Sequence, residues 1–258
     1  MQARQHDRHQ YFDELAATSR KYYVPYLSEY LRVGEGVNVL EIGCGEGGNL
    51  LPFAQAGCTV MGVDMAAGKI ADARRFFAEN DADGQFLASD IFEVKELEGQ
   101  FDLILCHDVI EHIHDKEEFM RRTRAYLRPE GMAFFAFPAW QMPFGGHQQM
   151  CRNRMLSRLP FFHLLPQGLY RRLLEYGGET PETVSGLLEI KDTATSIGLF
   201  EQVIRNQGFK VVDRRLWLVN PHYEAKFGLR PRRLPDIVAA LSWVRGFLST
   251  SCFYLLRP

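Results

Sequence analysis

The stretch Val39–Gly48, VLEIGCGEGG, satisfies two templates at once. Through Gly43, Gly45 and Gly48 it reads G-x-G-x-x-G, the fingerprint of a dinucleotide-binding loop. Through Glu41, Gly43, Gly45 and Gly47 it reads E-x-G-x-G-x-G, a glycine loop led by a carboxylate. Glycine spacing is a weak signal on its own, so charge and the rest of the chain have to decide what the loop holds.

Outward from the loop the pattern is regular. The spacing predicts a strand over Val37–Ile42, a helix over Gly48–Ala56, a strand over Thr59–Val63, a helix over Gly68–Glu79 and a strand over Gln85–Ala88. A strand over Phe101–Cys106, two helical stretches within Val109–Leu127 and a strand over Met132–Phe137 follow. Strands alternating with helices predict an α/β, Rossmann-like, doubly wound sheet with helices on both faces. Asp108 with Glu111, and Asp115 with Glu118, read as capping boxes. Arg128-Pro-Glu-Gly131 reads as the turn that ends the second helix. Ahead of the first strand, aromatic and aliphatic residues at helical spacing predict a helical cover over residues 1–33, broken or kinked at Pro25. After Pro138 the alternation fails for about fifty residues, predicting a lid or acceptor-site insert over residues 139–195. A helix over Ser196–Asn206, a strand over Phe209–Val219, a helix over Leu234–Phe247 and a strand over Ser251–Leu256 then complete one domain spanning residues 1–258.

The 258 residues are 46% hydrophobic and 24% charged, with a net charge of −2, so a sizeable core is available and a nucleic-acid backbone is not the expected partner. Five scattered cysteines suggest neither a disulfide framework nor a zinc site. The N-terminal stretch is polar where a secretory signal would be apolar, and no apolar run is long enough to span a membrane. The expectation is a soluble, cytoplasmic protein with a small-molecule partner.

A dinucleotide would bring a pyrophosphate to the loop; a sulfonium cofactor would bring cations. Glu41 ends the first strand and Glu46 lies within the loop. A carboxylate ~6 Å from a ligand charge is worth roughly 3 kcal/mol at an effective dielectric of ~20, attractive to a cation and repulsive to a phosphate. Asp64, ending the second strand, suits the ribose hydroxyls of either ligand, while Asp90 in FLASDIF can accept from an adenine amino group.

With VLEIGCGEGG, MGVDM, LASDIF, FDLILCHDVIEHIHD and LRPEGMAFFAFP in order and spacing, residues 37–137 resemble the core of class I S-adenosylmethionine-dependent methyltransferases. The small-molecule type, similar to the ubiquinone-biosynthesis enzymes, is the nearer match. The resemblance implies a seven-stranded sheet whose last strand is antiparallel. It also implies that Glu41, Gly43, Cys44, Gly45 and Gly47 surround the methionine end of the cofactor. Asp64 and Met65 would then lie at the ribose, Asp90 and Ile91 at the adenine, and His107 would line the pocket through its backbone.

Methyl transfer from a sulfonium is an in-line displacement, so the protein must align the nucleophile and, for a hydroxyl, take its proton. CHDV stands after the fourth strand where an N/D-P-P-Y motif would mark transfer to a nucleobase amine or glutamine amide. The expected reaction is transfer to an oxygen of a small molecule. Transfer to carbon or nitrogen, or binding of the cofactor without catalysis, stay open. His147, in Phe144-Gly-Gly-His-Gln-Gln149 beyond the fifth strand, is the candidate base, its glycines allowing close approach to a ligand; a loop histidine bonded to neighbouring backbone is the alternative. Asp108, Glu111 and His112 share one helical face and resemble the metal-binding E-x-x-E-H of ubiquinone-biosynthesis O-methyltransferases. The capping box accounts for the two acids, so no metal is assigned. Between Gly131 and Leu174 there is no Asp or Glu, but Arg152, Arg154, Arg158, Arg171 and Arg172 stand among aromatic and aliphatic residues. Such a segment suits an anionic or amphipathic acceptor, peripheral contact with a membrane or partner chain, or an ordinary solvated face.

Overall fold

The computed structural model describes residues 7–258, so the first six residues of the expected helical cover and of the polar N-terminal stretch lie outside the described residues. Strands β1 (Asn38–Ile42), β2 (Thr59–Asp64), β3 (Gln85–Ala88), β4 (Phe101–His107), β5 (Leu127–Phe137), β6 (Lys210–Val219), β7 (Arg232–Arg233) and β8 (Ser251–Arg257) form one sheet in the order β3-β2-β1-β4-β5-β8-β6-β7. The first five are mutually parallel; β8 inserts antiparallel between β5 and β6. The sheet therefore has eight strands rather than seven. The extra one, β7, is a two-residue strand pairing with Trp217 and Val219 at the open edge of β6, too short to leave a period in the sequence.

The central strands are apolar on both faces because both are covered. Leu40, Ile42, Ile104, Cys106, Phe135, Phe137, Tyr254 and Leu256 point to one side, where they meet α5 (Lys116–Tyr126) and α8 (Ile197–Asn206) through Phe119, Met120 and Phe200. Val39, Leu103, Leu105, Phe134, Phe253 and Leu255 point to the other. There they meet α1 (Arg8–Thr18), α2 (Val24–Ser28), α3 (Leu51–Gln55) and α4 (Ala67–Glu79). The alternation is the period of two that a pleated strand imposes.

Pro25 does not interrupt the cover. It sits at the start of α2, directly after residues Ser19–Tyr23, which widen into a π-helical turn that carries α1 into α2. The expected helix over Leu234–Phe247 is two short ones, α10 (Asp236–Ala240) and α11 (Arg245–Leu248). Leu241 between them is extended, and Arg245 turns inward to donate to Glu201 at 2.5 Å.

Residues 139–195 are more ordered than the broken alternation suggests. Three short 3-10 turns lead to α6 (Gln167–Tyr176) and α7 (Pro181–Thr193). These elements enclose a small core of their own, built on Leu156, Phe162, Tyr170, Leu174, Leu187 and Leu188. α7 ends against the sheet edge: Thr193 Oγ1 and Thr195 Oγ1 donate to the carbonyls of Glu111 and Ile110. The ninth helix, α9 (His222–Phe227), follows β6 and packs on α1. No helix among the described residues is long and apolar enough to cross a membrane.

The segment after β3 is held by Tyr126, whose buried hydroxyl lies 2.8 Å from the Ile91 carbonyl and 2.6 Å from that of Val94. Tyr126→Phe leaves two buried carbonyls without that donor and should cost about 1–3 kcal/mol, read as a lower denaturant midpoint at unchanged slope. An unchanged midpoint would show that the clamp contributes nothing.

Candidate active site

The glycine loop answers the question of the two templates. Gly43, Gly45 and Gly47 have φ of +73°, +54° and +83°, the left-handed region that side chains avoid. Gly48, the third glycine of the dinucleotide reading, is not in that region; a Cβ there would meet the Phe12 carbonyl oxygen at 2.5 Å, so it is needed for the passage of α1. The following helix begins only at Leu51 and has five residues. The Gly45 N–H, which a phosphate would need, donates instead to Asp64 Oδ2 at 2.9 Å. An anion from the protein already occupies that amide.

The charge of the loop runs the same way. Glu41 is buried; Asn49 donates to its Oε1 at 2.7 Å, and its Oε2 has no partner among the described residues. Burial pushes its carboxyl up to about 8, against the pull of Asn49, with Asp64 adding to the rise. Glu46 is buried too, with Arg8 Nε 4.0 Å away. Two buried acids and one unpartnered carboxylate oxygen favour a cation in this loop.

The other expected ligand residues lie along the same C-terminal edge. Asp64 Oδ1 accepts from Ala66 N–H, so the carboxylate is braced through one lone pair of each oxygen and keeps the others for hydroxyls. Met65 beside it is 74% exposed. Asp90 accepts from Phe92 N–H in a local turn, and Ile91 packs its side chain into the main core. Cys44 is buried against Gly62, where a Cβ would meet its sulfur at 2.6 Å. His107 ends β4, buried, with Nε2 3.7 Å from Asp108 Oδ2 and its ring beside that of Tyr23.

Residues 5–158 match a family profile described as Methyltransferase domain. The chain belongs to the S-adenosylmethionine-dependent methyltransferases. S-adenosylmethionine is accordingly its cofactor. Similar proteins include the ubiquinone biosynthesis O-methyltransferases of Brucella ovis, 35% identical over 102 residues, 40% of this chain and 41% of that one. That of Bordetella avium is 33% identical over 103 residues, 40% and 43% of the two chains. The match thus spans about two fifths of the length of these relatives. Solved structures of similar fold include magnesium protoporphyrin IX methyltransferase from Synechocystis PCC 6803 with bound S-adenosylhomocysteine. Its TM-score is 0.56 at 14% identity, covering 94% of this chain and 84% of that one. An S-adenosylmethionine-dependent methyltransferase from Clostridium acetobutylicum gives a TM-score of 0.58 at 11% identity, covering 93% and 91%.

On the acceptor side the capping account of Asp108 does not hold in this methyltransferase. Asp108 has φ +53° and no side-chain capping bond is made at the 3-10 turn Ile110–His112. Glu111 is buried with both carboxylate oxygens unpartnered among the described residues, and its carboxyl is held well above the usual range by burial, then by Asp108. Glu111, His112 and His147 each bring a ligand atom within 4.8 Å of the others. A carboxylate without partners and two imidazoles fit a divalent cation, which these three residues could hold. His147 itself has φ +55°, and burial lowers its imidazole to about 4, His112 adding to the shift. Its two preceding glycines serve the chain rather than a ligand: a Cβ on Gly145 would meet the Trp140 carbonyl oxygen at 2.2 Å, and one on Gly146 the Cβ of His163 at 2.3 Å. His163 is internally satisfied, between Gln148 Nε2 and the Trp140 carbonyl.

Sequence reading missed Asn49, the partner of Glu41, and His222 at the end of β6, since both depend on contacts across 8 and 204 residues of chain. Arg152, Arg154, Arg158, Arg171 and Arg172 are exposed. Arg171 lines an open cavity of about 590 Å³ with Glu175, Glu179, Glu189 and Asp192, so acids of α6, α7 and the turn between them supply the opposite charge its own segment lacks.

Binding a cationic cofactor favours the ionised form of Glu41. Below about pH 8 that ionisation releases a proton, so S-adenosylmethionine affinity should rise with pH between about 6 and 8, by at most roughly tenfold per unit, and level off above. Glu41→Gln should weaken binding and flatten the profile in calorimetry. A flat profile in the unmodified protein would remove Glu41 from the cofactor site.

Proposed function

We propose that this protein transfers the methyl group of S-adenosylmethionine to an oxygen of a small-molecule acceptor. The observation that carries the reading is the buried, unpartnered Glu111 carboxylate beside His112 and His147, next to Asp108 at the mouth of the sheet. A hydroxyl nucleophile needs such a proton-accepting, polar setting; a carbon or amine nucleophile needs it less. The names of the Brucella and Bordetella relatives support oxygen as well.

In the reaction the acceptor oxygen attacks the methyl carbon in line, the carbon–sulfur bond breaks and its electron pair returns to sulfur, leaving neutral S-adenosylhomocysteine. The hydroxyl proton passes to His147. With its imidazole lowered to about 4, His147 is neutral at pH 7 and free to accept. A base this weak suffices because the hydroxyl becomes strongly acidic as its oxygen is alkylated, so proton transfer accompanies or follows bond formation. A divalent cation, where Glu111, His112 and His147 hold one, would take up the lone pair of His147 and serve in place of that base, lowering the pKa of the acceptor hydroxyl and neutralising the buried carboxylate. The chain's own contribution is alignment: the left-handed loop fixes the methionine end while the insert, anchored through Thr193 and Thr195, closes over the acceptor. Exposed arginines among Met155, Leu159 and Phe161 support an anionic, amphipathic acceptor. The five cysteines are free and buried, which suits a reducing, cytoplasmic setting.

Incubation with methyl-labelled cofactor and a panel of phenols and carboxylic acids should give oxygen-methylated product by mass spectrometry. Label found on carbon or nitrogen, or on nothing, would sink the reading. His147→Ala should lower turnover roughly 10²- to 10⁴-fold with cofactor affinity nearly unchanged. Chelation should depress activity and added divalent cation restore it; indifference to chelation would leave His147 as base and Glu111 and His112 without a metal.

A further inference from the structure

His222 begins α9, directly after the C-terminal end of β6, and so lies at the same edge of the sheet as the cofactor loop. It is 7% exposed. Its Nδ1 is 3.1 Å from Thr18 Oγ1, and Thr18 Oγ1 is in turn 2.8 Å from the Glu14 carbonyl oxygen. Two oxygens at that distance need a proton between them, and the only one available is the Thr18 hydroxyl proton, since a carbonyl can only accept. Towards His222, Thr18 therefore accepts, and Nδ1 carries the hydrogen. The tautomer follows: Nε2 bears a bare lone pair, and it has no partner among the described residues.

The surroundings of His222 share a charge with those of Glu111, His112 and His147. The charge of Asp108 reaches His222, Tyr11, Tyr23 and Tyr223 as well as Glu111, His112 and His147. The Tyr11 ring stands edge-on to His222 at 6.1 Å, and the buried Tyr23 hydroxyl also lacks a partner. Burial lowers the imidazole to about 4, so it is neutral near pH 7 and stays an acceptor. A buried lone pair left open in this way costs stability unless a ligand supplies a donor.

We propose that His222 is an acceptor-binding residue whose Nε2 receives a hydrogen bond from a hydroxyl of the methyl acceptor, with Thr18 holding the imidazole in the tautomer that can do so. This rests on the oxygen-acceptor reading above and adds to it the first helix as part of the specificity apparatus: α1 both covers the cofactor loop at Gly48 and sets which nitrogen of His222 faces the ligand.

The test begins with nitrogen-labelled histidine. His222, identified by the resonances lost in His222→Phe, should be the Nδ1–H tautomer in the free protein. In the S-adenosylhomocysteine complex, catechol should move the Nε2 resonance and its dimethyl ether, which has no hydroxyl, should leave it in place. With an acceptor that the unmodified protein turns over, His222→Phe should raise the acceptor KM roughly 10- to 100-fold. Cofactor Kd should stay within about twofold, because only the lone pair is lost. His222→Gln places an amide oxygen near the Nε2 position and should recover most of that loss; Thr18→Val, which frees the ring to flip, should show part of it. A proton on Nε2, a resonance that no phenol moves, a Gln variant no better than Phe, or weakened cofactor binding in His222→Phe would each overturn the assignment. Methylation at carbon or nitrogen would instead overturn the oxygen reading, while the tautomer and its response to hydroxyl ligands would still decide this one.

Discussion

The hydrogen bond from Gly45 N–H to the Asp64 carboxylate ties the end of the first strand's loop to the end of the second strand. It spends on an internal carboxylate the amide that a phosphate cradle would need. With the amide spent on an internal anion, with Glu41 and Glu46 buried beside it, and with the next helix beginning only at Leu51, no helix end faces a phosphate there. The three left-handed glycines make this geometry possible, because Gly43 leaves no room for a side chain against Val109 and Gly47 none against Phe86. Everything else at the sheet edge is arranged around that turn.

A second constraint is the number of buried polar groups the protein leaves open. Glu41 Oε2, both oxygens of Glu111, the Tyr23 hydroxyl and His222 Nε2 are buried without partners among the described residues. A folded chain ordinarily satisfies such groups, since each costs on the order of 1–3 kcal/mol when stranded. Glu41, Glu111 and His222 stand at or just beyond the ends of β1, β4 and β6, where a bound ligand would have room to supply the missing partners. By contrast His163, between Gln148 and Trp140, uses both ring nitrogens internally and serves only to fasten the insert.

The elements outside the sheet core supply the walls. The insert is fastened through Thr193 and Thr195 to the turn that carries Glu111, and Lys116 Nζ donates to the carbonyls of Ile113 and Thr193. From the opposite end of the chain, α1 reaches the same edge through Phe12 at Gly48 and Thr18 at His222. This edge of the sheet is thus bounded by segments that are remote in sequence.

The parallel core was legible in the sequence because each strand and helix announces itself locally: short, continuously buried runs in Val39–Ile42 and Leu103–Cys106 and an Asp115 cap on α5. The cofactor class was legible for the same reason, since Glu41, Gly43, Gly45 and Gly47 act over seven consecutive residues. Pairing across the sheet decided what local pattern could not: the two-residue β7, and the break at Leu241 that turns Arg245 onto Glu201. Tertiary structure also decided the acceptor side. Asp108 and Glu111 have the spacing of a capping box, and only the φ of Asp108 and the burial of Glu111 show that no cap forms. His222 is an unremarkable residue in its own segment; its free lone pair exists because a threonine 204 residues away accepts the other nitrogen's proton. Short-range chemistry can be read along a chain, whereas which polar atoms remain unpaired depends on every contact the fold makes.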